Sequence, residues 1–225
     1  FGTANYTNLI TSNNFIQIAA GYQHALAILD DNTIMSWGKN LQGQLGLGNT
    51  STTNFPTGIS GVTGVVDISA GENHSLALLS NGEVMAWGDN QFGQLGNGTL
   101  TDKNAPILIG LTNIMDIDAG ANHSMAIDSL GRLWVWGNNA QGQLGMSSIT
   151  FSLSPTLNGI EDVRLISGGT EHSLAVKNNN KLYTWGDNTF GQLGHGNNTS
   201  TSTPTLVSTI SGVNYAEAGL YNTFA

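Results

Sequence analysis

An all-β fold of stacked, short-stranded sheets is what this 225-residue sequence predicts, and three observations predict it. The composition is rich in turn formers, with 30 glycines, abundant Asn, Ser and Thr, and only 9% charged residues. Such usage suits β-structure with many tight turns. A tryptophan-centred word recurs at a fixed interval, with Trp37, Trp87, Trp136 and Trp185 standing 50, 49 and 49 residues apart. Apolar residues alternate or cluster in short runs, and no long stretch shows the helical period of about 3.6 residues.

The repeat reads strand by strand. A first strand precedes each Ala-Gly or Gly-Gly, as in "VVDISAG" at 65–71. The second is the histidine-led word, as in "HSLALLS" at 74–80, and Asn-Gly or Asp-Asn supplies the turn that ends it. The third carries the tryptophan, as in "EVMAWG" at 83–88. A glycine-rich word and a variable polar loop follow. Pro56, Pro106, Pro155 or Pro204 then stands ahead of a short apolar stretch. Proline there marks a sheet edge or a strand start, because it has no N–H to give to a ladder. About four strands in about 50 residues is the arithmetic of a propeller blade. A fixed period of that length means one supersecondary unit stacked on copies of itself.

The recurring words are close to identical. Around the histidines they read "AAGYQHALAIL", "SAGENHSLALL", "DAGANHSMAI" and "SGGTEHSLAV"; around the tryptophans, "MSWGKNLQGQLGLG", "MAWGDNQFGQLGNG", "VWGNNAQGQLGM" and "TWGDNTFGQLGHG". This combined pattern resembles the repeat of the regulator of chromosome condensation family, and it does so over essentially the whole chain. The resemblance implies a β-propeller, usually of seven blades. We therefore expect one domain, 1–225, with full repeats at about 6–55, 56–105, 106–154 and 155–203 and a half repeat at 204–225. Residues 6–21 align without gaps to 204–219, so both ends carry the same half of a repeat. Redundant halves do not close a ring by themselves. The expectation is part of a longer seven-bladed propeller, or an open or assembled array whose edges allow self-association.

Charge and composition exclude several classes. Fifteen acids against six bases give a formal charge of −9. Lys39, Lys103, Arg132, Arg164, Lys177 and Lys181 are scattered along the chain, which leaves no basic footprint for a nucleic acid. With no cysteine there is neither a disulfide framework, a thiolate metal site nor a cysteine nucleophile. No apolar run approaches the roughly 18 to 20 residues of a membrane span, and the opening stretch reads as no signal peptide.

Candidate residues divide into repeated and variable letters. His24, His74, His123 and His172 suggest metal or acid/base work, but one copy per blade points to a structural role, each ring bonding a neighbouring backbone group. A His74–Ser75 nucleophile pair is excluded, since neighbours on a strand face opposite ways. Trp37, Trp87, Trp136 and Trp185 are expected to pack between blades rather than to form a ligand shelf. Trp134 stands apart, because the other blades carry Met35, Met85 and Tyr183 there. Asp89, Asn90, Asn138, Asn139, Asp187 and Asn188 do not match a calcium loop and read as turn residues, so no metal or cofactor is expected. Variation concentrates between the glycine and the histidine, and before "GQLG". Tyr22, Glu72, Glu171 and Tyr221 in the first set and Phe92 and Phe190 in the second are the candidate partner-binding residues.

Three function classes remain: a non-enzymatic scaffold presenting these residues to a protein partner, a structural or adhesive array, and guanine-nucleotide exchange on a small GTPase. The last would need an inserted wedge and basic tails, which the sequence lacks. Low lysine and high Asn, Ser and Thr lean toward the outside of a microbial cell. No acid, base and nucleophile constellation rises above the repeat, so an enzyme is not expected.

Overall fold

The computed structural model describes residues 14–225. The part of the first repeat before residue 14, and with it half of the 6–21 alignment, lies outside the described residues. Four antiparallel four-stranded sheets follow one another. Blade 1 comprises β1 (Phe15–Ala20), β2 (His24–Leu29), β3 (Ile34–Gly38) and β4 (Thr53–Gly58). Blade 2 comprises β5 (Val65–Ala70), β6 (His74–Leu79), β7 (Val84–Gly88) and β8 (Lys103–Leu108). Blade 3 comprises β9 (Ile114–Ala119), β10 (His123–Asp128), β11 (Leu133–Asn138) and β12 (Phe151–Leu157). Blade 4 comprises β13 (Val163–Gly168), β14 (His172–Lys177), β15 (Leu182–Gly186) and β16 (Thr201–Leu206). A two-stranded fifth unit, β17 (Glu217–Ala218) with β18 (Thr223–Phe224), ends the described arc. Each sheet is a simple meander, and the first strands of successive sheets lie against one another around a common axis. A repeat cut at Pro56 divides β4, so the sheets are phased from Phe15, Val65, Ile114 and Val163 instead.

The core lies between sheets. Leu26, Ile28 and Ile34 of blade 1 meet Val65, Ile68, Ala77 and Trp87 of blade 2. Leu76, Leu78, Val84 and Leu95 meet Ile114, Ile117, Ala126 and Trp136 one junction on. The alternation in "HSLALL" explains this: the apolar third and fifth residues of each second strand, Leu76 and Leu78 in blade 2, look forward to the next blade, and the alanine between them looks back. A fully buried leucine contributes about 2 kcal/mol by removing apolar surface from water, and each junction repeats the arrangement.

Turns and edges follow the chain's chemistry. The hairpin between the second and third strands needs a left-handed residue at its third position, filled by Asn32 (φ 60°), Gly82 (φ 80°), Gly131 (φ 72°) and Asn180 (φ 60°). Pro56, Pro106, Pro155 and Pro204 lie in the outermost strands at the irregularity between paired segments, where no ladder donor is missed.

Candidate functional site

The repeated letters build one buried hub at each junction. His24 Nε2 lies 3.0 Å from Ser75 Oγ, His74 from Ser124 at 2.9 Å, and His123 from Ser173 at 2.8 Å. His172 reaches Thr223 Oγ1 at 3.1 Å. Each hydroxyl donates onward to the carbonyl of the preceding blade's "GQLG" glutamine: Ser75 to Gln44 at 2.9 Å, Ser124 to Gln94 and Ser173 to Gln143 at 2.8 Å. The same carbonyls accept the indole N–H of Trp87, Trp136 and Trp185, each at 2.8 Å. Because the hydroxyl proton is committed to a carbonyl, the histidine must hold its proton on Nε2. The expected histidine-to-backbone bond is thus corrected: the ring bonds the next blade's hydroxyl, and the hydroxyl bonds backbone.

This arrangement is a fastener. Ser75, Ser124 and Ser173 are fully buried, and their protons are already given away, so none is a nucleophile. Burial holds the imidazoles neutral, with His74 and His123 lowered to about 3 and His24 and His172 to about 4. The glycine before each histidine is required by space. A Cβ on Gly71 would lie 2.3 Å from His74 Cε1 and 2.5 Å from the Gly120 carbonyl of the next blade. Trp87, Trp136 and Trp185 are fully buried at the junctions; Trp37 is half-buried and lies 6.5 Å from Phe15, ring centre to ring centre.

The Asp and Asn letters serve the loop. Asn90 Oδ1 accepts the Leu95 N–H at 3.0 Å while its Nδ2 donates to the Thr99 carbonyl at 2.8 Å, and Asn40, Asn139 and Asn188 repeat the pattern. Asp89 and Asp187 receive the side-chain amides of Gln94 and Gln192 at 2.9 and 2.7 Å. Blade 3 has Asn138 at that position, and Gln143 Nε2 is buried there with no partner. Among the described residues no group of three or more His, Cys, Asp or Glu could hold a metal ion.

The variable letters converge elsewhere. The Gly-x-x-His turns of blades 1 to 4 and the matching Gly219–Asn222 turn of the fifth unit ring the axis and enclose a mouth of about 560 Å³, lined by Tyr22, Glu72, Ala121, Thr170, Leu220 and Tyr221 above the Ala-Gly or Gly-Gly pairs. Backbone bonds from Glu72 N to Ala121 O and from Ala121 N to Gly169 O, at 3.0 and 3.1 Å, tie neighbouring turns together. Glu72 Oε2 also accepts Asn122 Nδ2 at 3.3 Å. Tyr22 is 69% exposed and Tyr221 48%, a degree of exposure that leaves both rings available to a partner. Phe190, exposed, packs on Tyr221 with ring centres 5.2 Å apart. Phe92 and Glu171 are half-buried and are not among the residues lining the mouth.

One group escaped the sequence reading. Asp118 accepts Ser69 Oγ of blade 2 and the Gly168 N–H of blade 4, both at 2.7 Å, so one carboxyl links three blades. Burial raises Asp118 to about 6; burial, then the nearby Asp67 and Asp118, raise Asp116 to about 7. The signal was present, since Asp118 stands where other blades have Ala19, Ser69 and Ser167.

Comparison with known proteins agrees with this architecture. Human WBSCR16 superimposes with a TM-score of 0.82 at 25% identity, over 92% of this chain and 56% of that one. Prp20p of Saccharomyces cerevisiae does so with a TM-score of 0.84 at 24% identity, over 95% of this chain and 56% of that one. The ultraviolet-B receptor UVR8 of Arabidopsis thaliana is 39% identical over 41 residues, 18% of this chain and 9% of that protein. The chain therefore spans a little over half the length of the two solved structures. With the same hub at successive junctions and the RCC1-like domain pattern matching residues 4–225, the chain belongs to the RCC1-like domain family of β-propellers.

Proposed function

We propose that this propeller is a non-enzymatic binding scaffold that holds a protein partner at the axial mouth, with Tyr22, Glu72 and Tyr221 as its main contacts. The observation that carries the reading is the placement of the letters: most repeated residues are buried at the blade junctions, whereas Tyr22, Glu72, Leu220 and Tyr221, which differ from blade to blade, line one concave, exposed surface. Exposed aromatic side chains on a hydrogen-bonded frame are the kind of residue that carries binding energy, because little order remains to be imposed on binding. Support also comes from Prp20p, a structural neighbour described as binding Gsp1p and histones. Phe190 extends the surface through Tyr221, while Phe92 and Glu171 would contact only a partner broad enough to cover the rim.

The test is a pull-down from the native source with the intact chain and with a Tyr22→Ser/Glu72→Gln/Tyr221→Ser variant. A protein retained by the wild type and lost by the variant, with thermal unfolding of the two unchanged, is the expected result. Retention by both would refute the mouth as the binding surface.

A further inference from the structure

At the opposite end of the sheets, the hairpins between second and third strands carry Asp31, Asn81 and Asn179 at their second turn position, as solvated turns do. Blade 3 carries Leu130 there, and it is 71% exposed. Around it stand the other letters peculiar to this blade, Arg132 and Trp134. Asp128 holds the group rigid: its Oδ1 accepts the Leu130 and Arg132 N–H groups, each at 3.0 Å, and its Oδ2 accepts Arg132 Nε at 2.7 Å and Trp134 Nε1 at 3.0 Å. The guanidinium lies 5.8 Å from the indole ring centre. A leucine, an arginine and a tryptophan are thereby presented in one fixed constellation; Leu130 lines a hollow of about 490 Å³ together with Met115 and Val163, and Arg132 and Trp134 flank it on the other side of the turn.

The fold also gathers charge that the sequence scatters. Arg132, Arg164, Lys177 and Lys181, four of the six bases, lie at this end of blades 3 and 4. Among the described residues only Arg132 forms an ion pair. Arg164 donates to Asn180 Oδ1 and to the Val213 and Asn214 carbonyls, and Lys177 lies over the Tyr183 ring. Asp116, Asp128, Glu161 and Asp162 are the acids nearby, with Asp128 committed to Arg132, whereas the same end of blades 1 and 2 offers Asp30, Asp31 and Glu83 and no base. We propose that this end of blades 3 and 4 is a second interaction surface, which takes an acidic protein segment whose apolar side chain enters the hollow beside Leu130. Carboxylates on either side of that apolar residue would meet Arg164, Lys177 and Lys181, and the rigid Leu130 turn would lose little freedom on binding. The surface is separate from the axial mouth and stands whether or not the mouth binds a partner.

The test is an amide chemical-shift titration of the intact, nitrogen-15-labelled chain with an acetylated hexapeptide of two leucines and four glutamates, and with its lysine counterpart. The acidic peptide is expected to move Leu130, Gly131, Arg132 and the Trp134 indole signal while leaving Tyr22 and Ala121 in place. Leu130→Asn, which installs the residue that blades 2 and 4 carry, and Lys177→Glu/Lys181→Glu should each weaken that binding at least about fivefold. Equal response to the lysine peptide, shifts confined to the mouth, or no saturable shift would overturn the proposal. So would a dimer of the wild-type chain that Leu130→Asn dissociates, which would make a second copy the occupant.

Discussion

His74 of blade 2 is bound to Ser124 of blade 3, Nε2 to Oγ at 2.9 Å, fully buried, and 50 residues separate the two. Ser124→Ala leaves a buried imidazole N–H without an acceptor. The expected cost is about 1–3 kcal/mol in urea unfolding, and a variant as stable as the wild type would remove the hub from the account.

Glycine before the histidine should be irreplaceable. Gly71→Ala forces a methyl group into backbone of the next blade and should cost about 3 kcal/mol or prevent folding. Gly58→Ala is the control, because nothing lies within 4 Å of its Cβ position, and it should change the melting temperature little.

Acid and base should act in opposite directions. Histidines lowered to about 3 or 4 stabilise the native state fully above their unfolded value of 6.5, and that contribution is lost as the pH falls through the folded values. Asp116, raised to about 7, contributes fully below 3.8 and loses that contribution as the pH rises through about 7. Asp116→Asn should therefore stabilise the protein by about 1 kcal/mol at pH 8 and by almost nothing at pH 4. Urea unfolding at the two pH values checks the sign.

The orphaned amide of Gln143 can be given a partner. Asn138→Asp restores the carboxylate that Gln94 and Gln192 have in blades 2 and 4. A gain of about 1 kcal/mol is expected, read as a higher melting temperature, and a loss would mean that the loop of blade 3 cannot bring the two groups together.

The fold was legible because it is written four times. Period-2 alternation in "HSLALL" and the Asn or Gly at each hairpin fixed strands and turns locally, and these local signals agreed with the repeat. What joins the blades was not legible in the same way. The partner of His74 is a serine one whole repeat away, and the adjacent Ser75 answers to His24 instead. Strand faces are encoded in neighbouring letters, whereas the registry of one blade on the next emerges only on stacking. Convergence of Tyr22 and Glu72 followed from their equivalent positions just after the glycine, whereas Tyr221 stands one position further on, the position Glu171 holds in blade 4. Glu171 shares the blade 4 turn with Thr170, which lines the mouth, yet does not line it itself, and Phe92 stands in the separate loop before "GQLG". Asp118 and Leu130 were missed because each occurs in a single blade and sits inside a word otherwise read as strand or turn.

The claim that buried repeat letters hold the frame and exposed variable letters bind the partner is tested most directly by one affinity measurement. The partner isolated with the wild-type chain is titrated against Tyr22→Ala/Tyr221→Ala at matched stability. A dissociation constant weaker by about tenfold or more is predicted; an unchanged constant would contradict the account.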